Sequence, residues 1–568
     1  MPIDQQLIEQ VNSWLEQDPD PITKKQLTDL FAAAKENEPG AVLELTDAFR
    51  APLEFGTAGL RGALGAGPNR MNRVTVLQAV GGLAQYLIKN KFVGHKVVIG
   101  FDARYNSEVF AKDSAEVLAG YGFKPIIFDH VVPTPVLAFA IRNLSACAGI
   151  MVTASHNPPQ DNGYKVYLAD GRQIVPPVDQ EIAKQIRKID DVRKLPRGAE
   201  VENTPNSCEI EYVNSVKQLI ESGPLSVNER QSIKTVYTAM HGVGWATLAD
   251  VFNSCGFSQP VAVLEQRDPD PAFPTVNFPN PEEKGALDLA IEKSISEKAD
   301  LLLANDPDAD RLAVAVPVAS GEFQMLRGDQ VGILFGWWVS ERAKLLGKKL
   351  TGTFASSIVS SMMLEAVATN AGFKYEHTLT GFKWVSRVPN LIYGYEEALG
   401  YCVDPLSVGD KDGISAAAMF VELAAYLKSQ NKSIWQQLDD LALEHGLYVS
   451  DQVSVRVTDL TVVPQVMNTL RVNPPKHFGS MKVSSVLDLT KPESGLPPTD
   501  GVIFYLTGDG QVAKGRVIVR PSGTEPKIKC YLEVVVRVTD LIHGQDLADQ
   551  EIVAIANDAK PLLQVNVN

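Results

Sequence analysis

The chain is poor in cysteine, histidine and positive charge, and each shortage excludes something. Its 568 residues hold five cysteines (Cys147, Cys208, Cys255, Cys402 and Cys530), scattered and never in a Cys-x-x-Cys pair. An odd, dispersed set excludes a zinc ribbon and a disulfide framework and fits a reducing compartment. The eight histidines are equally dispersed, which leaves no His-rich metal cluster. Acidic residues outnumber basic ones, giving a formal net charge of -15. That argues against a nucleic acid or an anionic membrane as partner, because both need clustered cations. Any phosphate site must rely on a local concentration of Arg, Lys and backbone N–H groups. Long apolar runs are missing as well. The most continuous one, Val331–Val339, is far too short to cross a bilayer. The N-terminus, Met1-Pro2-Ile3-Asp4-Gln5, has neither a basic nor an apolar leader region, so the expected location is cytoplasmic.

What remains is the composition of an ordinary globular protein, long enough for three or four domains. Residues 3–36 carry apolar side chains at helical spacing and predict two surface helices broken at Pro19–Pro21. Strands are expected at Val97–Phe101, followed by Asp102-Ala103-Arg104, and at Pro125–Phe128 and Cys147–Val152, with a helix over 108–121. A polar stretch near 196–212 reads as a linker. A second unit restarts at Thr235–Thr238, with His241-Gly242-Val243-Gly244 opening a helix. It continues through strand Val261–Leu264, an irregular proline-rich stretch at 268–281, a helix over 283–297 and strand Leu301–Ala304. A third unit begins near Arg327 with a helix through the two tryptophans, then a strand at 350–354, and closes on a helix over 412–428. From about residue 450 alternating strands dominate, as in a small α+β domain. The expected divisions are 1–205, 206–320, 321–449 and 450–568.

Four stretches carry chemistry. Thr153-Ala154-Ser155-His156-Asn157-Pro158 follows a buried strand, where an α/β protein places reactive groups. Ser155 reads there as a phosphoryl carrier, with an ordinary polar turn as the alternative. His156 is placed to orient a phosphate or to serve as a structural loop histidine. Asn305-Asp306-Pro307-Asp308-Ala309-Asp310-Arg311 sets three carboxylates at alternate positions with a proline among them, so they cannot lie on a continuous helix. In an extended or turning chain they share a side, and oxygen ligands of that kind suit Mg²⁺. An EF-hand is excluded, because its glycine position is Arg311 and no closing Glu follows. The acid/base on the acceptor oxygen is Lys165 or His156, and a lysine depressed by neighbouring cations such as Arg61 would serve. Phe55–Gly62, rich in glycine around Arg61, reads by itself as a plain loop. Arg520-Pro521-Ser522-Gly523-Thr524-Glu525-Pro526 combines an arginine fork with hydroxyls around a tight turn, which makes an anion nest or a bland turn between strands.

Together with Gly394-Tyr395-Glu396-Glu397-Ala398, these motifs resemble the α-D-phosphohexomutase family, which includes phosphoglucomutases and phosphomannomutases. The ordered match runs from Phe55 to about Tyr531. The resemblance implies an α/β protein of four domains around a cleft, three with a similar sheet core and a smaller C-terminal α+β domain. It implies phosphoserine at Ser155 and Mg²⁺ held by Ser155, Asp306, Asp308 and Asp310. Arg61 and Lys165 are implied as cations assisting proton transfer, with Arg311 beside the metal loop. Glu396 would hold sugar hydroxyls, with Thr380, Gly381 and Lys383 in the neighbouring loop. Arg520, Ser522, Gly523 and Thr524 would grip the distal phosphate. The implied activity is a phosphosugar mutase acting between the 1- and 6-positions of glucose or mannose phosphate. A sugar 1,6-bisphosphate would be both the intermediate and the activator that phosphorylates Ser155. The expected partner is a phosphorylated sugar, with no nucleic acid or membrane, in a monomer or homodimer.

One departure bears on the sugar. Many hexose mutases have a serine two residues after the sugar-binding glutamate, and here it is Ala398. Glu396–Tyr401 and Gln160–Tyr167 look closer to the branch holding phosphopentomutases and glucose-1,6-bisphosphate synthases. A phosphopentomutase is therefore the close alternative, and a bisphosphate synthase a second. A metal-dependent phosphatase and a sugar-phosphate sensor are more remote.

Overall fold

The strand leading to Ser155, Ala148–Val152, is buried along its whole length. Burial on both faces explains why it reads as a continuous apolar run and not an alternating one. It lies parallel to Lys96–Phe101, which lies parallel to Lys124–Ile127. After the serine loop the chain returns antiparallel as Asp161–Leu168. The computed structural model describes residues 3–457, 462–521 and 527–563. It divides into two compact units, one of residues up to Leu326 with Leu399–Ala425, the other of Arg327–Ala398 with Tyr426 onward.

The first unit holds two sheets of related design. In the first, the strand order is Leu60–Ala63, Asp161–Leu168, Ala148–Val152, Lys96–Phe101, Lys124–Ile127, Glu202–Asn203. In the second, Leu301–Ala304 lies parallel to Thr235–Thr238, and Ala313–Pro317 returns antiparallel to it. Each sheet thus sends one buried parallel strand into a loop, 153–160 or 305–312, that closes on an antiparallel return. Helices Gln5–Gln17 and Pro21–Lys35 break at the expected prolines, with Asp20 capping the second. They bury Val11, Trp14, Leu27 and Phe31 against the first domain, each worth about 1.5–3 kcal/mol.

In the second unit, Lys374–Thr378, Thr353–Ser357 and Leu391–Glu396 form parallel pairs. The C-terminal domain is an antiparallel sheet ordered Leu447–Arg456, Lys527–Val536, Val512–Pro521, Val502–Thr507, Met481–Asp488, His477–Phe478. Helices Val462–Val472 and Leu541–Leu562 contribute to its core. The fold is therefore α/β, with parallel strands in each of the first three sheets and a wholly antiparallel sheet at the C-terminus. No helix among the described residues is long and apolar enough to cross a membrane.

Several local expectations need correction. Phe55–Gly62 is not a plain loop, since Leu60–Ala63 is a strand with Arg61 opposite Gly163. Gly59 makes this possible: its φ is +75°, and a Cβ there would sit 1.8 Å from the Tyr164 carbonyl oxygen. The stretch near 196–212 is not an open linker. Glu202–Asn203 extends the first sheet beside Ile126 and Ile127, and helix Ser207–Glu221 follows. The strand expected at 350–354 is Thr353–Ser357, with Ser356 and Ser357 fully buried. Polar residues at its buried end concealed its register. The helix expected over 283–297 starts at Asp288.

Candidate active site

Ser155 occupies the tip of the first loop with φ +52°, in the left-handed region, and is 3% exposed. Its hydroxyl donates to Asp306 Oδ2 at 2.6 Å and lies 3.2 Å from His156 Nδ1. The second loop turns on Ala309, also left-handed at +55°. Its rear is closed by the 239–244 turn, where Val243 N donates to the Pro307 carbonyl. A Cβ at Gly242 would stand 2.3 Å from Pro307 Cα, so only glycine fits there.

Asp306, Asp308 and Asp310 are buried, and one oxygen of each lies within 4.8 Å of the others. Lys165 Nζ donates to Asp308 Oδ2 at 2.7 Å and Asp310 Oδ2 at 3.0 Å. Lys411 Nζ reaches Asp310 Oδ2 at 2.9 Å, and the Thr134 hydroxyl reaches Asp308 Oδ2 at 2.6 Å. The opposite oxygens, Asp308 Oδ1 and Asp310 Oδ1, are buried with no hydrogen-bond partner. Two orphaned carboxylate oxygens facing a third carboxylate fit a hard divalent cation such as Mg²⁺.

Burial and repulsion from Asp308 and Asp310 push the Asp306 carboxyl up to about 8. Burial is the largest single influence on Asp308 and Asp310 and raises both, but Lys165 with Thr134 at Asp308, and Lys165 with Lys411 and Arg311 at Asp310, together outweigh it, so both end below the usual carboxylate range. Burial lowers His156 well below its ordinary value, and Arg311 and Arg61 reinforce the effect, so its imidazole is neutral. Lys165 departs from expectation. Burial lowers it, but Asp308 and Asp310 outweigh burial and raise it, so Lys165 is not a depressed lysine.

Arg61 donates to Asn157 Oδ1 at 3.1 Å, and Arg311 Nε lies 3.9 Å from Asp306 Oδ2. Arg61, Lys165, Arg311 and Lys411 thus set a local positive field inside an acidic chain, as a phosphate site requires. Lys411 was missed in the sequence. It sits between Asp410 and Asp412 and looks like part of a solvated charge run, yet it is 9% exposed. Thr134 was missed too, because it opens an unremarkable helix, Thr134–Asn143.

The remaining predicted residues belong to the second unit. Glu396 Oε1 accepts from Gly381 N at 2.6 Å, which ties the 380–383 loop to the end of strand Leu391–Glu396. Thr380 is half-buried, and Lys383 lies on the short helix Phe382–Val385. Glu397 Oε2 accepts from the hydroxyls of Ser357 at 3.1 Å and Ser360 at 3.0 Å. Burial, with Glu396 and Asp329 nearby, pushes its carboxyl up to about 7. Arg520 is the penultimate residue of strand Val512–Pro521 and hydrogen-bonds Tyr531. Ser522, Gly523 and Thr524 lie outside the described residues.

Models of the phosphoglucomutase/phosphomannomutase α/β/α domains I, II and III match residues 52–193, 210–319 and 327–443, and that of the C-terminal domain matches 469–540. The chain is 47% identical over 468 residues to a Haemophilus influenzae protein named "Probable phosphomannomutase", covering 82% of this chain and 93% of the relative. It is 38% identical over 573 residues to the phosphopentomutase of Homo sapiens, covering 94% and 92%. Among solved structures it resembles the open form of parafusin, a phosphoglucomutase from Paramecium. That TM-score is 0.68 at 19% identity, over 90% of this chain and 94% of the other, and the likeness bears on fold alone.

Proposed function

Because the chain belongs to the phosphoglucomutase/phosphomannomutase family, whose members are intramolecular phosphotransferases, we propose that Ser155 is its phosphoryl carrier. The substrate is a hexose monophosphate, glucose or mannose, whose phosphate moves between the 1- and 6-positions. The observation that carries this reading is the Ser155 hydroxyl 2.6 Å from Asp306, among buried carboxylates and clustered cations.

In the forward half-reaction the free sugar hydroxyl attacks the phosphorus of phospho-Ser155. The bond to Ser155 Oγ breaks, and a sugar bisphosphate forms. The hydroxyl proton passes to the returning Ser155 oxygen through Lys165 or the neutral His156. The bisphosphate turns around, Ser155 attacks its other phosphate, and the product leaves with the carrier phosphorylated again. Arg61 and Arg311 face the equatorial oxygens, where charge spreads during transfer. Held by Asp306, Asp308 and Asp310, Mg²⁺ would supply positive charge against those oxygens and relax the carboxylates' hold on Lys165. Glu396, with Thr380, Gly381 and Lys383, orients the sugar. Arg520, Ser522, Gly523 and Thr524 hold the phosphate that is not reacting.

Intact mass spectrometry tests the carrier. The purified protein should carry one phosphoryl group on Ser155, an oxygen-isotope label in that group should pass into the sugar phosphate on mixing with substrate while the protein stays phosphorylated, and Ser155→Ala should have no measurable turnover. A fully active Ser155→Ala protein would end the proposal. A pentose phosphate is the second reading. It is supported by Ala398 in the sugar loop and by the likeness to a phosphopentomutase. Comparing kcat/KM for glucose 1-phosphate and ribose 1-phosphate decides between them.

A further inference from the structure

Arg104 has no role in the chemistry above, yet it is 4% exposed and faces the serine loop from behind. Its guanidinium donates to the carbonyl oxygens of Ser155 at 2.6 Å, Asn157 at 2.5 Å, Pro158 at 2.8 Å and Asp161 at 3.1 Å. These four acceptors run from the proposed carrier to the start of the return strand. Asp102 flanks the guanidinium on one side, its Oδ2 3.4 Å from Nε. Asp102 is itself fixed by the Ser107 hydroxyl at 2.7 Å and the Arg104 N–H at 3.0 Å. The Phe273 ring covers the guanidinium, with Cζ 4.9 Å from the ring centroid. Phe273 comes from the proline-rich stretch of the second sheet's domain. That stretch is pinned by Thr275 to His241 and Gln266, and by Asp270 N to the His241 carbonyl.

A loop that turns four of its carbonyls toward one side chain leaves acceptors there that need donors. It also holds Ser155 in a left-handed conformation that a non-glycine residue adopts only when its surroundings enforce it. One planar fork with five N–H groups meets both needs, whereas a lysine ammonium offers three donors from a single point. We propose that Arg104, held between Asp102 and Phe273, is the positioning residue of the phosphoryl-carrying loop. It fixes the Ser155 carbonyl, and through it the direction of Oγ. This rests on the reading of Ser155 as the carrier.

The test compares Arg104→Lys, Arg104→Ala and Phe273→Leu with the wild type and Ser155→Ala. It uses whichever of glucose 1-phosphate or ribose 1-phosphate the wild type turns over. Arg104→Lys should fold and lose about 10²-fold in kcat, with KM within about threefold, because misplacement near 1 Å has that cost. Arg104→Ala should lose more and regain activity with added guanidinium, which a merely structural arginine would not show. Phe273→Leu, which keeps the fork but removes its cover, should lower kcat about tenfold. Wild-type kcat in Arg104→Lys, or no guanidinium rescue of a folded Arg104→Ala, overturns the proposal. If neither Arg104 variant folds, Phe273→Leu decides, and an unchanged kcat overturns it. Turnover surviving in Ser155→Ala would overturn the carrier reading instead.

Discussion

Glu397→Gln tests how the second unit tolerates a carboxyl beside the proposed sugar-binding Glu396. The wild-type group is pushed up to about 7 from an ordinary 4.5 by burial, by Glu396 and by Asp329. Between those values the folded protein binds a proton that the unfolded chain does not. Folding stability therefore falls as pH rises through that window and is flat above it. Each tenfold in proton affinity is about 1.4 kcal/mol, so full ionisation costs about 3 kcal/mol, and less where solvent reaches the half-buried carboxyl. Glutamine keeps an acceptor oxygen for the Ser357 and Ser360 hydroxyls and cannot ionise. The variant should match the wild type near pH 4.5 and exceed it above pH 7. At about 2–4 °C per kcal/mol, the gap is several degrees in Tm. The measurement is thermal unfolding of both proteins from pH 4.5 to 8.5 at constant ionic strength. Asp306, also raised, titrates alike in both and cancels in the difference. Parallel Tm profiles across the whole range would refute the reasoning.

Two further tests concern the metal loop and the C-terminal domain. Titrating Mg²⁺ into metal-free protein should raise Tm, with about 2.7 kcal/mol of stabilisation at a hundredfold excess over Kd. Thr134→Val, which removes the donor to Asp308 Oδ2, should shift that curve to about 10–100-fold higher Mg²⁺. A Tm that ignores Mg²⁺ would take the cation out of the site. Arg516 bonds Glu533 at 2.9 Å and the carbonyls of Ile358 and Ser360. Arg516→Met leaves the buried Glu533 charge uncompensated and should cost about 3–5 kcal/mol in denaturant unfolding. An unchanged midpoint would contradict this.

The two chemical loops were legible in the sequence because each joins an uninterrupted apolar run to small and polar residues. That contrast is produced by a strand buried on both faces that ends in a turn of buried polar groups. Pairing between distant segments left no such mark. Leu60–Ala63 has two small residues, Gly62 and Ala63, and becomes a strand only because Asp161–Tyr164 lies alongside it. Lys411 carries the charge pattern of an exposed loop, and only the third dimension sets it against Asp310. Arg104 was seen merely as a residue after a strand, since its four acceptors are main-chain oxygens and leave no trace in side-chain identity. Lys165 was found, but the sign of its shift was not. The sequence suggested cations around it, while the fold sets two carboxylates closer.

The division of the first unit has a consequence for synthesis. The chain leaves that unit at Leu326 and re-enters it at Leu399. Asp310 meets Lys165 from upstream, but its second ammonium, Lys411, emerges about 100 residues later. At about 5–20 residues per second the ribosome takes roughly 5–20 s to deliver it. For that interval the nascent carboxylate loop has one ammonium partner where the finished protein has two.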